Sequence, residues 1–180
     1  MASSNQEELW VLRAQCDDRD ALDQLLRSVQ PSLRRYVCGL VGPFDADDVL
    51  QDVLVAVARK IGWLREAALF RAWAFRIANR AGVRHLKKER LWTDRFADAS
   101  MLDDVPATES RPSEAVMSEL LTMDGISPAS RSVLILHFQE ELPLADVSAL
   151  LEIPVGTAKS RLAYGLSSIR RQLAKKGSIR

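Results

Sequence analysis

The chain has 180 residues, enough for one ordinary domain or two small ones, and 47% of them are hydrophobic, which supports real cores and excludes disorder throughout. Its net charge is only +1, from 25 basic and 24 acidic residues, which as a bulk figure argues against a simple nucleic-acid binder. No stretch approaches the roughly 20 apolar residues of a membrane helix, so no membrane insertion is expected.

Residues Met1 to Glu8 carry no basic segment followed by an apolar core, so no secretory signal is expected and the chain reads as cytoplasmic. Cys16 and Cys38 fit neither a zinc nor a redox spacing and read as reduced thiols.

No strand-like alternation of useful length occurs, so the chain reads as helical throughout. Asp20 is placed to cap a helix carrying Leu22, Leu25, Leu26 and Val29, followed after Pro31 by Leu33, Tyr36, Val37 and Leu40. Gly42-Pro43 breaks the pattern. Asp45 then reads as an N-cap, with Asp48 as its capping-box partner, for a helix that buries Val49, Val53, Val57 and Ile61 and ends near Gly62. A further helix is predicted from about Ala67 to Arg90, with Phe70, Ala74, Ile77 and Ala81 on one face. Gly82 lies inside it at a cost of about 1 kcal/mol relative to alanine.

From about Thr93 to Pro112 the periodicity is lost, and acidic residues between Asp94 and Glu109 outnumber Arg95 and Arg111. This reads as a flexible acidic linker between two helical domains. The second domain begins with an amphipathic stretch around Val116, Leu120 and Leu121. Ser127-Pro128 supplies a cap and first turn ahead of Val133-Leu134-Ile135-Leu136. Pro143 opens a short helix with Leu144, Val147 and Leu151, and Glu152-Ile153 turns into a longer helix that accommodates Pro154 in its first turn. Short helix, tight turn and longer polar-faced helix form the helix-turn-helix pattern, with Glu152 where such turns often carry glycine.

Charge distribution then changes the meaning of the net charge. From Ile153 onward there are Lys159, Arg161, Arg170, Arg171, Lys175, Lys176 and Arg180 and no acidic residue. Ala158, Leu162, Gly165, Leu166, Ile169 and Leu173 form the ladder that packs inward, while Thr157, Ser160, Tyr164, Ser168 and Arg171 form the opposite face. Thr157, Ser160 and Arg161, near the start of the helix, are thus candidates to meet a major groove, with Lys159 and the later cations on phosphates.

A second cationic stretch holds Arg76, Arg80, Arg84, Lys87, Lys88 and Arg90 against Glu89 alone, with Trp73, Phe75, Trp92 and Phe96 among or just beyond them. Cations that track phosphates beside aromatics that stack on bases suit single-stranded or melting DNA, although such a run can be a solvated face and such aromatics core. Asp45 and Asp48 can be explained as helix caps; Gln51 and Asp52 continue the polar face and suggest a basic protein partner.

His85 and His137 lack metal-ligand spacing, with His137 at a core edge, and there is no phosphate loop or nucleophile motif. No enzymatic activity, metal or cofactor is expected.

Three motifs in order carry a resemblance over about Asp20 to Leu173: Asp45-Ala46-Asp47-Asp48-Val49-Leu50-Gln51-Asp52, Phe70-Arg71-Ala72-Trp73-Ala74-Phe75-Arg76-Ile77-Ala78, and Pro154-Val155-Gly156-Thr157-Ala158-Lys159-Ser160-Arg161-Leu162. The chain closely resembles bacterial sigma factors of the extracytoplasmic-function (ECF) group. The resemblance implies an all-α protein of two small helical domains joined by a flexible acidic linker, the C-terminal one containing the helix-turn-helix. Sigma domain 2 spans 5–92, the linker 93–112 and sigma domain 4 113–180.

By the same resemblance, Asp45, Asp48, Gln51 and Asp52 dock on the clamp helices of the largest subunit of core RNA polymerase, and the flap of the second-largest subunit is a further contact. Trp73, Arg76, Asn79, Arg80, Arg84, Lys87 and Lys88 recognise and melt the minus-ten promoter element. Val155, Gly156, Thr157, Lys159, Ser160, Arg161 and Tyr164 read the minus-thirty-five element. The linker threads toward the RNA exit path, and an anti-sigma factor restrains the whole.

Two departures from the family pattern are Asn79-Arg80, where the family commonly has Arg-Asn, and Ser167-Ser168, where it has a more basic tract. The alternative is a self-sufficient helix-turn-helix regulator that does not recruit polymerase as a sigma subunit, but that reading leaves the N-terminal cationic-aromatic helix without a purpose.

Overall fold

The computed structural model describes residues 4–93 and 125–177, and every regular element among them is helical. Most of the acidic linker, Phe96, Val116, Leu120 and Leu121 lie outside the described residues, as do the side chains of Arg90 and Trp92. The chain divides into two compact units, Met1–His85 and Leu86–Arg180.

The first unit is built on α1 (Ser4–Gln15), α2 (Arg19–Val41), α3 (Ala46–Lys60) and the start of α4 (Phe70–Thr93), with 3-10 turns at Ile61–Trp63 and Ala67–Leu69. Helix α2 is capped by Asp18, whose side chain accepts from the Ala21 amide at 3.0 Å; Asp20 lies in the first turn instead. The Ala21 amide foremost, and Arg13 beside it, hold the Asp18 carboxyl below its ordinary pKa. That contribution is complete above the ordinary carboxylate range and is lost as pH falls through the lowered value.

Pro31 sits within α2 without ending it. Gly42 ends it with φ +96°, a backbone conformation that favours glycine, and its N–H donates to the Cys38 carbonyl. Leu25, Val29, Leu33, Tyr36, Val37 and Leu40 are buried along one face of α2 and meet Val49, Val53 and Val57 of α3 in the core.

Helix α4 buries Phe70, Ala74, Phe75, Ala78 and Gly82, so the inner stripe is rotated from the predicted one and leaves Ile77 and Ala81 half-buried. The reason lies at Gly82, where an added Cβ would stand 2.6 Å from the Leu40 Cδ2 atom. The missing side chain lets α4 approach α2 closely, which offsets the intrinsic helix penalty of glycine.

Helix α1, with no clean apolar stripe in the sequence, buries Val11 and Ala14 and is held further by polar contacts. Gln15 donates to the carbonyls of Ile61 and Leu64 at 3.0 and 2.7 Å, and buried Glu7 makes a two-pronged ion pair with Arg71 of α4.

The second unit contains α5 (Pro128–Leu134), a π-helical turn over Ile135–Gln139, α6 (Leu144–Leu151) and α7 (Val155–Gly177). Ser127 caps α5 by accepting from the Ser130 amide at 3.2 Å, with Pro128 in the first turn. Val133, Leu134, Ile135, Leu136, Val147, Leu150, Ala158 and Ile169 are buried, with α7 packed on both α5 and α6. His137 is half-buried with Nδ1 2.8 Å from the Leu142 carbonyl, a core-edge position.

Between α6 and α7, Glu152 adopts φ 57° and ψ 43°, the left-handed conformation. Its N–H reaches Ala149 O and the Ile153 N–H reaches Ser148 O, the bonding of a helix end that normally carries glycine. Glu152→Gly is therefore expected to raise stability by about 1 kcal/mol by removing the left-handed penalty, measured as an upward shift of the urea midpoint at constant slope.

Candidate nucleic-acid interface

Two cationic helix faces and one acidic edge emerge from this fold. On α4, Arg80, Arg84, Lys87 and Lys88 are exposed and Arg76 is half-buried. Arg76, Arg80, Arg84 and Lys88 recur every four residues and so form one row along the helix. Trp73 is half-buried, its ring 6.4 Å from that of Phe70. Phe75 is a core residue rather than a stacking platform: it is buried and meets Tyr36 edge-on at 5.5 Å. Asn79 is half-buried and accepts from the Tyr36 hydroxyl at 2.9 Å, so its amide oxygen is turned toward α2.

The connection leading into α4 carries a feature that the sequence reading missed. Trp63 is 77% exposed there, a large apolar ring left in water between the acidic and cationic helices. An indole at such a place can stack on an unpaired base. The signal was available as a tryptophan just past the Gly62 helix stop.

The acidic edge lies on α3. Asp48, Gln51 and Asp52 are exposed, and Val55, 43% exposed, continues the line one turn on. Asp45 departs from the predicted capping box: it precedes α3 but makes no side-chain cap hydrogen bond. Its carboxylate stands 3.5 Å from His85 Nε2 of α4 instead. Asp47 is paired with Arg34 of α2 at 3.0 Å, and the pair holds the Arg34 pKa above its ordinary value. The acidic run is therefore divided, with Asp45 and Asp47 engaged within the unit and Asp48 and Asp52 facing outward.

On α7, Gly156, Ser160 and Tyr164 are exposed at four-residue spacing, beside exposed Val155 and Lys159 and half-buried Thr157 and Arg161. Pro154 stands just before the first turn rather than in it, its carbonyl accepting from the Ala158 amide at 3.0 Å. The Ser160 hydroxyl donates to the Thr157 carbonyl at 3.1 Å. Ser168 leaves the outward face predicted for it: it is buried and donates to the Gly125 carbonyl at 2.9 Å. Leu173, predicted to pack, is 46% exposed.

Gly165 packs against α5, where a Cβ would lie 2.7 Å from Leu134 Cδ1, whereas a Cβ at Gly156 would meet nothing within 4 Å. The fold requires the first of these glycines and not the second.

Residues 25–91 match Sigma-70 region 2 and residues 122–171 match Sigma-70, region 4, a pairing that defines a two-region protein of the sigma-70 class. The chain is 25% identical over 171 residues to the ECF RNA polymerase sigma factor SigW of Bacillus subtilis, covering 87% of this chain and 90% of that protein. It is 29% identical over 155 residues to the RNA polymerase sigma-E factor of Streptomyces avermitilis, covering 84% of each. Among solved structures, CnrH in complex with the cytosolic domain of CnrY matches with a TM-score of 0.64 at 20% identity, over 94% of this chain and 98% of that one. RpoE of Bartonella quintana, in complex with the anti-sigma factor NepR, matches with a TM-score of 0.64 at 22% identity, over 84% and 96%; both structures bear on the fold alone. The chain belongs to the sigma-70 family of RNA polymerase sigma factors and is similar to members of it named ECF sigma factors.

Proposed function

We propose that this protein is the promoter-directing subunit of an RNA polymerase holoenzyme, with sigma domain 2 over 5–92, a linker over 93–112 and sigma domain 4 over 113–180. It performs no chemistry of its own and works in the cytoplasm; no helix among the described residues is long and apolar enough to cross a membrane. Asp48, Gln51 and Asp52, with Asp45 at their edge, meet the clamp helices of the largest polymerase subunit, and the second-largest subunit's flap supplies another contact.

Trp73, Arg76, Arg80, Arg84, Lys87 and Lys88 hold the minus-ten element as it melts, with Asn79 among them and Trp63 a further stacking candidate. Val155, Gly156, Thr157, Lys159, Ser160, Arg161 and Tyr164 read the minus-thirty-five element as duplex. An anti-sigma factor holds the protein inactive; two structural relatives were solved with partners, the cytosolic domain of CnrY and the anti-sigma factor NepR.

The observation that carries this reading is the coexistence, within the first unit, of Arg76, Arg80 and Arg84 in a row on α4 and an exposed acidic edge on α3. A self-sufficient repressor has use for the helix-turn-helix but not for a second DNA face beside an acidic docking edge. The near-neutral net charge supports the same reading, because affinity for DNA scales with the phosphates neutralised and a weak free binder waits for polymerase.

Reconstituted transcription with purified core polymerase on promoter fragments tests it, and failure both to associate with core and to initiate on any promoter overturns it. Arg161→Ala is expected to weaken recognition of the upstream element by about 1–3 kcal/mol, read by competition between promoter variants. An unchanged promoter preference removes Arg161 from the reading face.

A further inference from the structure

We infer that Asn79 is a positioning residue, acting through Tyr36 to fix the rotation of α4 about its own axis and hence the direction in which the cationic row points. The inference rests on α4 being the minus-ten face, and it moves Asn79 from the DNA surface to the interior of that face.

Tyr36 is fully buried on α2, and its hydroxyl donates to Asn79 Oδ1 at 2.9 Å. A phenol in a core requires such an acceptor, and the hydrogen bond is directional where the surrounding apolar contacts are not. One turn earlier on α4, Phe75 stands at 90° against the same tyrosine ring. Three residues later, Gly82 admits Leu40, which lies one turn beyond Tyr36 on α2.

Two consecutive turns of α2 therefore grip positions 75, 79 and 82 of α4 through an aromatic edge, a hydrogen bond and a missing Cβ. Aromatic and aliphatic contacts tolerate a roll of the helix; the hydrogen bond selects one angle. Arg76 and Arg80 each follow a gripped residue directly, about 100° further round the helix. Whatever fixes Phe75 and Asn79 fixes the bearing of those two guanidinium groups.

The test uses holoenzyme assembled from the full chain and core polymerase, bound to a forked promoter fragment that is single-stranded at its minus-ten end, over a series of salt concentrations. Tyr36→Phe and Asn79→Ala are made singly and together, with Arg80→Ala as the measure of one lost phosphate contact. Each phosphate contact contributes roughly 0.7 to 0.9 to the slope of log affinity against log salt.

Tyr36→Phe and Asn79→Ala are each expected to flatten that slope by a similar amount, up to the Arg80→Ala change, and the double variant to flatten it no further than either single one. If Asn79→Ala weakens binding while Tyr36→Phe is silent, or if their effects multiply, Asn79 is a direct DNA contact and the inference is overturned. If both variants lower the melting temperature and the active fraction but leave the slope unchanged, the pair is only structural and the inference is again overturned. If Arg76→Ala, Arg80→Ala and Arg84→Ala all leave the slope unchanged, α4 is not the DNA face, and both the parent reading and this one fall.

Discussion

Gly165→Val is expected to destabilise the second unit by about 2–3 kcal/mol, the upper part of the roughly 1–3 kcal/mol range for forcing extra methyl groups into a packed core. The first added carbon alone would lie 2.7 Å from Leu134 Cδ1 and 3.2 Å from Leu134 Cγ, with Ser130 Cβ at 3.4 Å. A leucine methyl can swing aside where there is room, but Leu134 is fully buried and its neighbours Val133, Ile135 and Leu136 are too. The clash is therefore taken up by separating α7 from α5, which costs the contacts that hold α7 in place.

Gly156→Ala on the same helix should act in the opposite direction, raising stability by up to about 1 kcal/mol, because its Cβ enters open space. Urea denaturation of the full chain, with hydrogen exchange followed at α7 amides, separates the two. A neutral Gly165→Val would mean that the α5–α7 contact is plastic. A stabilised Gly156→Ala that has lost minus-thirty-five affinity would mean that the glycine serves close approach to DNA rather than the fold.

What the sequence made legible was local. Ser127 capping α5, the burial of Val49, Val53 and Val57, and the Glu152 turn all depend on residues within a few positions of one another, where spacing and backbone chemistry decide the outcome. What it hid depends on partners far along the chain. Ser168 was placed outward by helical spacing, but its hydroxyl is satisfied inside by the Gly125 carbonyl.

The capping-box spacing points Asp45 at the start of α3, yet its side chain makes no cap hydrogen bond and its carboxylate stands 3.5 Å from His85 Nε2 of α4. The inner stripe of α4 is set by Leu40 meeting Gly82, a contact that no periodicity within α4 records. Helix α1 left little trace because its buried apolar residues are few, Val11 and Ala14, and Glu7 and Gln15 supply much of the rest of its attachment. On the candidate surfaces, the cations of α4 and the outward acids of α3 are readable as charge; Val55 is not, because an apolar residue within a helix reads as core until a structure exposes it, and Trp63 is marked only by its place just past the Gly62 helix stop.

The same division among the acids identifies the substitution with the largest expected effect on assembly. Asp48→Lys with Asp52→Lys should weaken association with core polymerase at least tenfold, about 1.4 kcal/mol, because on the proposed reading two attractions at this edge become repulsions. Asp45 and Asp47 are unsuitable for this test: reversing them would also disturb the contacts with His85 and Arg34. Asp48 and Asp52 are exposed and lie beyond those contacts, so the fold should survive.

A lysine in the first turn of α3 does oppose the helix dipole, at about 0.3–1 kcal/mol. The neutral pair Asp48→Asn with Asp52→Asn controls for that, because it removes much of the dipole complement while adding no positive charge. If docking depends on the acids, the neutral pair falls between the natural protein and the reversed pair, and the loss shrinks as salt is raised. Core affinity is read by competition against the unaltered chain, with thermal melting of each variant alongside. Should both pairs bind core normally while their melting temperatures fall, Asp48 and Asp52 are helix-start charges only, and the contact with the clamp helices must be sought elsewhere on the first unit.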